Sequence, residues 1–284
     1  MSNLTTNTAR AWLPEQIEEL VIRPLQQESV AARVGLYKTN LTGHAFRVPI
    51  VAEDPTTAWV AEGEEIPVSQ AELAEATAEF KKLAGLSIVS RELAEDSDPS
   101  AVDAIGQGLV RDLARKLDAA LFTDQGAKAP AGLASLTGYT QVEAPDTMTN
   151  LDAFIQARFR AAGVGAEVAA YVLHPDDAEA VALLKESSTS AKALLSEVAG
   201  DPGKLAIDGI PVETSPALTP GIMWALPKSG VHVGIRQDAT VDVDHSVFFT
   251  SDRSAIRATL RAGFAFSHPK AVVQIVRPSA LVAG

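Results

Sequence analysis

The sequence predicts an α+β protein, because helical and strand patterns dominate different parts of the chain. Of the 284 residues, 46% are hydrophobic and 21% are charged, a composition typical of a protein with a buried core. Helical periodicity is clearest at 98–123 and in the helix that ends at Gly163, and the part of the chain from residue 210 onward is rich in predicted strands. Regular alternation of strands and helices, as a doubly wound parallel sheet requires, is missing from this pattern. With no internal repeat or linker, we expect one compact α+β body.

Composition and charge exclude several classes of function. The chain has 36 acidic and 24 basic residues, a net charge of -12, which argues against a nucleic-acid-binding protein of the basic-patch kind. The absence of cysteine excludes disulfides, thiolate metal ligands and cysteine nucleophiles. The N-terminus lacks the apolar core of a signal peptide, and no 18 apolar residues run together. We therefore expect a soluble, non-secreted protein with no membrane partner.

The longest helical pattern runs from Asp98 to Thr123, and we name it the spine helix. Asp98 suits the N-cap and Pro99 the first helical position. About 25 residues at 1.5 Å each give a rod of roughly 37 Å. Apolar residues recur along it at spacings of three and four, and they are expected to fill the core: Val102, Ile105, Leu109, Leu113, Leu117 and Leu121.

The N-terminal 44 residues predict an arm rather than a core. Short helices are expected at 14–21, ended by Pro24, and at 28–34. Both are too short to stand alone, so the arm must pack on its own body or on a neighbour. From His44 to Pro49 the period changes to two, with Phe46, Val48 and Ile50 on one face, which predicts a strand.

An acidic tract follows this strand. Between Val48 and Phe80 there is no Lys or Arg, while eight carboxylates fall within 33 residues. With a returning strand at 78–89, the tract predicts a long two-stranded flap. An isolated two-stranded hairpin is only marginally stable, and a negatively charged one also repels itself, so this flap needs a basic docking surface. The alternative is a solvated acidic loop, but apolar residues within the tract favour docking: Trp59, Ile66, Val68 and Phe80.

The rest of the chain predicts a mixed, strand-rich body. A helix capped by Asn150 should end at Gly163, followed by a strand at 168–173 and a helix at 176–185. The small and polar residues of 187–201 suggest a mobile loop. Strands are expected at 210–212, 222–226, 231–235, 241–249, 256–266 and 272–276.

No residue pattern indicates catalysis. No two histidines have a metal-ligand spacing, no serine lies in a G-x-S-x-G turn, and no glycine-rich phosphate loop is present. His174 with Asp176 and Asp177 is better read as a helix cap. Asp242, Asp244 and His245 are better read as polar positions on an exposed strand. We therefore expect no catalytic, cofactor-binding or metal-binding residue, no cofactor and no enzymatic activity.

The order of arm, acidic flap, spine helix, second helix and strand-rich body resembles the major capsid protein of tailed double-stranded DNA bacteriophages, with its HK97-type fold. The resemblance covers nearly the whole chain, and the order of the motifs is its most specific feature. These motifs are Leu13-Pro14 with Ile17, Phe46-Arg47-Val48-Pro49, residues 58–63 around Trp59, residues 83–96, Pro130 with Gly132-Leu133, residues 209–212, and Ile256-Arg257 with Arg261 and Pro269.

The resemblance implies an N-terminal arm at 1–44, an extended loop at 45–95, a peripheral domain at 96–164 and 246–284, and an axial domain at 165–245. It implies self-assembly as pentamers and hexamers into an icosahedral shell of the virion, formed in the host cytoplasm. The implied partners are other copies of the chain and packaged double-stranded DNA bound without sequence specificity. Portal, scaffolding and decoration proteins are further candidates.

Two departures from the family pattern carry expectations. Because arm-like sequence begins by Leu13, we expect the protease-removed scaffolding segment of many relatives to be absent or encoded separately. Because Lys81 and Lys82 lie near the base of the returning strand, we expect no covalent crosslink of the kind that some relatives form from a loop lysine.

Contact between subunits is the function expected of the acidic flap. Its tip residues should meet basic residues of a neighbouring subunit, on the spine helix and on the strand at 256–266. Two alternatives remain: an encapsulin compartment with the same fold, and a metal-dependent hydrolase using Asp242, Asp244 and His245. The expected contact residues are Trp59, Glu62, Glu64, Glu65, Arg111, Arg115, Lys116, Arg257 and Arg261.

Overall fold

The fold is described from a computed structural model, for residues 23–53, 57–61, 63–65, 67–68, 72–90, 101–185, 194–198, 201–236, 240–248 and 251–279. Several sequence predictions fall outside these residues, among them the helix at 14–21, the cap Asp98 with Pro99, the contact residue Glu62, and most of the loop at 187–201. The C-terminal part of that loop contains a short strand.

The described part of the arm packs on its own subunit. It contains helices α1 (Arg23–Glu28) and α2 (Val30–Val34). Pro24, which was predicted to end a helix, lies in the first turn of α1, where a missing amide hydrogen breaks no helical hydrogen bond. Leu25 and Val30 belong to the main hydrophobic core. Strand β1 (Leu36–Leu41) follows and was not predicted, because its polar residues hide the strand pattern.

The flap is a two-stranded antiparallel hairpin of β2 (Ala45–Glu53) and β3 (Glu72–Glu79). Phe46 and Val48 are buried and Arg47 is exposed, which confirms the predicted alternation. The single returning strand predicted at 78–89 is divided at Phe80. After this residue, β4 (Lys81–Ser90) leaves the flap and joins a sheet of the body.

The spine helix, α3 (Ala101–Phe122), packs on a five-stranded sheet. This sheet also contains β11 (Val231–Arg236), β12 (Thr240–Phe248) and β13 (Arg253–Phe266). Its strands follow the order β1-β11-β13-β12, and β4 also pairs with β13, outside this path. Leu113 and Leu117 share one hydrophobic cluster with Leu260. A Cβ atom on Gly85 of β4 would be 3.1 Å from Leu109 Cδ2, so the helix lies very close to the sheet there.

A seven-stranded sheet forms the second half of the body, in the order β5-β14-β10-β6-β9-β8-β7. Helices α4 (Asp152–Ala162) and α5 (Pro175–Ala182) pack on it, and Phe154, Tyr171 and Ile275 lie in their shared core. The strands are β5 (Thr140–Glu143), β6 (Ala170–Leu173), β7 (Ser196–Val198), β8 (Asp201–Ile207), β9 (Ile210–Thr214), β10 (Ile222–Leu226) and β14 (Val273–Val276). Short 3-10 helices occupy Leu133–Ser135, Lys228–Gly230 and Pro269–Ala271.

The ends of α4 and α5 test two capping predictions. Leu151 occupies the N-cap of α4, and Asn150 lies one residue earlier, with its Oδ1 accepting a hydrogen bond from the Asp152 amide at 3.3 Å. The cap prediction was therefore wrong by one residue. His174 caps α5 as predicted, with its Nδ1 accepting from the Asp176 amide at 3.2 Å. Within the described residues, no helix is both long enough and apolar enough to cross a membrane.

Candidate subunit interface

The flap is fixed to the body at its root, which we define as Phe46 with the two glycines beneath it. Gly234 of β11 and Gly263 of β13 lie directly opposite each other in the sheet. A Cβ atom on Gly234 would be 2.5 Å from Phe46 Cε1, so the ring occupies the space that a side chain there would fill. The Phe80 ring lies 5.5 Å from the Phe46 ring. The root is thus part of the fold of its own subunit.

The flap tip, which we define as the described residues between 57 and 68, has the opposite character. Trp59 is fully exposed. The Glu64 amide donates to the Ala61 carbonyl at 3.1 Å, and Gly63 between them has a φ of +88°, a turn geometry that favours glycine. Glu64 and Glu65 are exposed and form no ion pair with any described residue, although Glu64 Oε2 accepts a hydrogen bond from the Ala61 amide at 3.4 Å. The tip therefore presents an aromatic ring and unpaired carboxylates.

Carboxylates nearer the root are already paired. Glu75 forms an ion pair with Arg47 at 3.1 Å, and Glu79 forms one with Lys81 at 2.8 Å. The hydrogen bond from Lys81, assisted by its positive charge, lowers the pKa of Glu79 below its ordinary value. Unpaired negative charge in the described flap is therefore concentrated toward the tip.

The basic residues expected to meet the tip do not form one surface. Arg111 and Arg115 are on the exposed side of the spine helix. Leu260 on β13 faces that helix, so Arg257 and Arg261, which alternate with it, lie on the opposite face of the sheet. Arg257 also donates to Asp242 of its own chain at 2.9 Å. These four arginines therefore lie on two surfaces, separated by the spine helix and the sheet, and the contact that each would make stays a prediction.

Lys116 belongs to a third surface, because it lies on the other flank of the spine helix, 100° or more around the helix axis from Arg111 and Arg115. Together with three other lysines it surrounds a cavity of about 220 Å³, which we name the lysine groove. The lysines are Lys81, Lys82, Lys116 and Lys128. Lys82 pairs with Arg261 in the sheet, so its side chain lies on the face opposite the spine helix, and Lys81, Lys116 and Lys128 are the lysines on the helix side. Gln125 also lines the cavity, and the other lining residues are apolar: Leu83, Leu117, Ala120, Ala129, Pro130 and Ala262. Only Lys81 of the four lysines has an ion-pair partner among the described residues.

Sequence reasoning missed the lysine groove because its parts are distant in the chain. Lys81 and Lys82 were considered only for crosslinking, and Lys128 was not considered. The signal that could have indicated the groove is the tight loop at Gly132. This glycine packs directly against the carbonyl groups of Ala120 and Leu121, where any side chain would collide. That close contact brings the loop containing Lys128 back against the spine helix.

A buried carboxylate fastens the arm to the spine helix. Asp118 is 6% exposed, and it accepts hydrogen bonds from Ser29 Oγ at 2.6 Å, from the Ala31 amide at 2.9 Å and from the Val30 amide at 3.1 Å. These contacts satisfy amides at the start of α2 that have no partner within the helix. Burial raises the pKa of Asp118, against the lowering effect of the hydrogen bonds. The described arm is thus anchored in its own subunit.

The residues considered for a hydrolase have structural partners. Asp242 accepts from Arg257 and, at 3.2 Å, from Thr240 Oγ1. Asp244 Oδ1 accepts from the amide and the hydroxyl of Ser246 at 2.8 and 2.7 Å. The His245 side chain is outside the described set. Among the residues that the structure describes, no three His, Asp or Glu side chains are grouped so that they could hold a metal ion.

The sequence model of the Phage capsid family matches residues 10–276. The chain belongs to the phage capsid family. It is therefore a structural shell protein of the virion capsid, which associates with copies of itself and is not an enzyme. This membership gives no support to the encapsulin or to the hydrolase.

Solved capsid structures share the fold of this capsid protein. The capsid of an empty GTA particle has a TM-score of 0.72 at 18% sequence identity, over 98% of this chain and 95% of that one. A structure from Microbacterium phage Oxtober96 has a TM-score of 0.69 at 17% identity, over 88% and 91% of the two chains. One from Mycobacterium phage Cain has 0.68 at 16% identity, over 88% and 90%. The predicted α+β, HK97-like fold is confirmed. No curated protein sequence matches significantly.

Proposed function

We propose that this capsid protein assembles as pentamers and hexamers into a closed icosahedral shell around double-stranded DNA, and that each flap docks on a neighbouring subunit. The observation that carries the proposal is the flap tip, where a fully exposed Trp59 lies beside unpaired carboxylates. An exposed tryptophan is costly in water and is typical of residues that dominate protein interfaces.

The length of the flap supports docking on another subunit. Strand β2 has nine residues, of which eight pair with β3, and at about 3.3 Å per residue the strand spans roughly 30 Å. Trp59 lies six residues beyond the end of β2. Because the root is fixed on its own sheet, the paired strands hold the tip away from the body that the chain itself provides. A neighbouring subunit is the surface available to cover Trp59.

Charge gives the contact its orientation. Glu62, Glu64 and Glu65 would face basic residues of the neighbour, drawn from Arg111 and Arg115, from Lys116, or from Arg257 and Arg261. Each exposed ion pair contributes about 0–1 kcal/mol and is weakened by salt, whose screening length is about 10 Å at 0.1 M. Contacts this weak can break and reform, which suits a shell that must correct errors as it closes.

The net charge of -12 fits a container that must release DNA, because a strongly basic lining would hold phosphates tightly and with strong salt dependence. We therefore propose DNA contact without sequence specificity.

Portal, scaffolding and decoration proteins complete the proposed partners, with assembly in the host cytoplasm. The proposal keeps the division into arm (1–44), extended loop (45–95), peripheral domain (96–164 and 246–284) and axial domain (165–245), without a covalent crosslink from Lys81 or Lys82.

Electron microscopy of the purified protein tests this function. The unchanged protein should form uniform shells or capsomers. Reversing the tip charges with Glu62→Lys, Glu64→Lys and Glu65→Lys should leave a folded subunit, by circular dichroism, that no longer assembles. A matched control reverses three exposed carboxylates of the body, Glu143, Glu167 and Glu179, and should still assemble. Normal shells from the tip variant would contradict flap docking, and a persistent monomer of the unchanged protein would contradict the shell.

A further inference from the structure

We infer that the lysine groove is the site that receives Trp59 of a second copy of the chain, an inference that rests on the proposed docking of the flap. The groove is lined both by apolar side chains and by lysines. The tip combines an indole ring with carboxylates five and six residues farther along the chain. Each chemical feature of the tip has a counterpart in the groove.

The indole fits this site in two ways. Leu83, Leu117 and Pro130 provide apolar surface that removes the ring from water. Lys116 and Lys128 provide cations that are attracted to the face of an indole ring, and the same cations attract Glu64 and Glu65. The apolar side chains supply burial and the lysines supply orientation.

A flap cannot place its own tip in its own groove. Lys81, at the groove, follows Glu79 by two residues, and Glu79 pairs with Ala45 at the root end of the hairpin. The tip is at the other end, about 30 Å away along the paired strands. The occupant must therefore come from another subunit.

The other basic surfaces fit less well. Arg257 is already paired with Asp242, and Asp244 lies on the same face of its strand, so approaching carboxylates would meet negative charge. Arg111 and Arg115 are on the convex exposed side of a helix, where an indole would remain largely in water. Of these three surfaces, the lysine groove is the one that has both a recess and lysines without an ion-pair partner among the described residues.

Docking of a tip in a groove also produces rings. The two surfaces differ, so each subunit gives a tip to one neighbour and receives a tip from the other. Such head-to-tail contacts close into rings when the rotation between subunits divides a full turn. Pentamers and hexamers of the proposed function are rings of this kind.

Crosslinking tests the pairing directly, because the chain has no cysteine and two can be introduced without background. The test pair is Ala61→Cys at the tip and Ala129→Cys in the groove. The control pair is Ala61→Cys with Ala84→Cys, an exposed residue of β4 on the face shared with Arg257. Assembled shells are treated with a short bismaleimide and separated by denaturing electrophoresis.

The test pair should give a ladder of covalent oligomers, at least tenfold more abundant than with the control pair or with either single cysteine. If shells form but the control pair gives the ladder, or neither pair does, the groove is not the site, and the proposed shell function stands. If no variant and no unchanged protein assembles, the proposed function itself fails.

A charge exchange gives an independent readout. Lys116→Glu with Lys128→Glu should reduce the rate of assembly at least tenfold, and adding Glu64→Lys and Glu65→Lys should restore most of it. The matched control, Arg111→Glu with Arg115→Glu, should assemble at nearly the unchanged rate. A stronger effect from the arginine pair, or no rescue of the lysine pair, would overturn the inference.

Discussion

The root and the tip of the flap each contain one prominent aromatic residue, and the two residues have opposite environments. Phe46 is 7% exposed and lies on a pair of glycines, whereas Trp59 is fully exposed. The root thus contributes to the folding of one subunit, and the tip is held ready for a contact between subunits. In such a hairpin, the root residues contribute to the stability of the folded subunit, and the tip residues are available to contribute to assembly.

The arm behaves like the root. Asp118 binds the start of α2, and Leu25 and Val30 are part of the main core. The described part of the arm therefore packs on its own subunit and contributes to its folding. Among the described residues of the arm and the flap, the tip carries the fully exposed aromatic side chain, and mutations at the root, arm and tip should show this difference.

Phe46→Ala should have the largest effect on folding. Removing a buried phenylalanine costs about 3–5 kcal/mol, through lost burial and the cavity that remains above Gly234 and Gly263. Urea unfolding of the subunit under non-assembling conditions measures the loss. Trp59→Ala is the matched variant and should change the free energy of unfolding by no more than about 0.5 kcal/mol. Similar losses from both variants would remove the distinction between root and tip.

Asp118→Ala should have the next largest effect, about 2–3 kcal/mol. It leaves the Val30 and Ala31 amides and the Ser29 hydroxyl without their acceptor in a buried position. Asp112→Ala, at an exposed position of the same helix, is the control and should be within about 0.5 kcal/mol of the unchanged protein. Hydrogen exchange should show earlier exchange in α2 for Asp118→Ala. An unchanged α2 would show that the arm does not depend on this carboxylate.

Gly234→Ala should cost about 1–3 kcal/mol, because the new methyl group would displace the Phe46 ring from the sheet. Gly106→Ala in the spine helix meets no atom within 4 Å and should instead stabilise the helix by up to about 1 kcal/mol. Thermal unfolding should therefore show a lower midpoint for Gly234→Ala and a higher midpoint for Gly106→Ala than for the unchanged protein. An unchanged stability of Gly234→Ala would mean that the Phe46 ring can move to make room for the methyl group at no cost in free energy.

The smallest predicted effect is a dependence on pH. Burial raises the pKa of Asp118, so the folded chain binds this proton more readily than the unfolded chain does. The stability from this group is therefore fully present below the ordinary aspartate pKa of about 3.9 and is lost as pH rises through the raised folded pKa. Relative to Asp118→Asn, the unchanged protein should gain stability as pH falls from 7 toward 4.

Other groups that titrate in this range, such as His232, whose pKa is lowered by burial, are common to both proteins and cancel in the difference. Denaturant unfolding at several pH values provides the measurement. A difference that is constant with pH, or that favours Asp118→Asn in acid, would contradict the raised pKa.

Local periodicity explains what the sequence could predict. The spine helix and the alternation of Phe46, Arg47 and Val48 depend on residues a few positions apart, so both were confirmed. Strand β1 was missed because it is held by parallel pairing with β11, nearly 200 residues away, and not by its own pattern.

The candidate site depended even more on distant contacts. The alternation along β13 already implied that Arg257 and Leu260 face opposite ways, but only the position of the spine helix shows which face it covers. The lysine groove brings together Lys81, Lys116 and Lys128 from three separate parts of the chain, and no local sequence pattern predicts that they meet.

The central claim is that the flap tip acts between subunits, and an electron cryomicroscopy map of the assembled shell tests it most directly. The account predicts that Trp59 of each subunit is covered by a neighbouring subunit, while Phe46 stays on Gly234 and Gly263 of its own chain. A map in which Trp59 packs on its own subunit, or remains exposed to solvent in the closed shell, would contradict it.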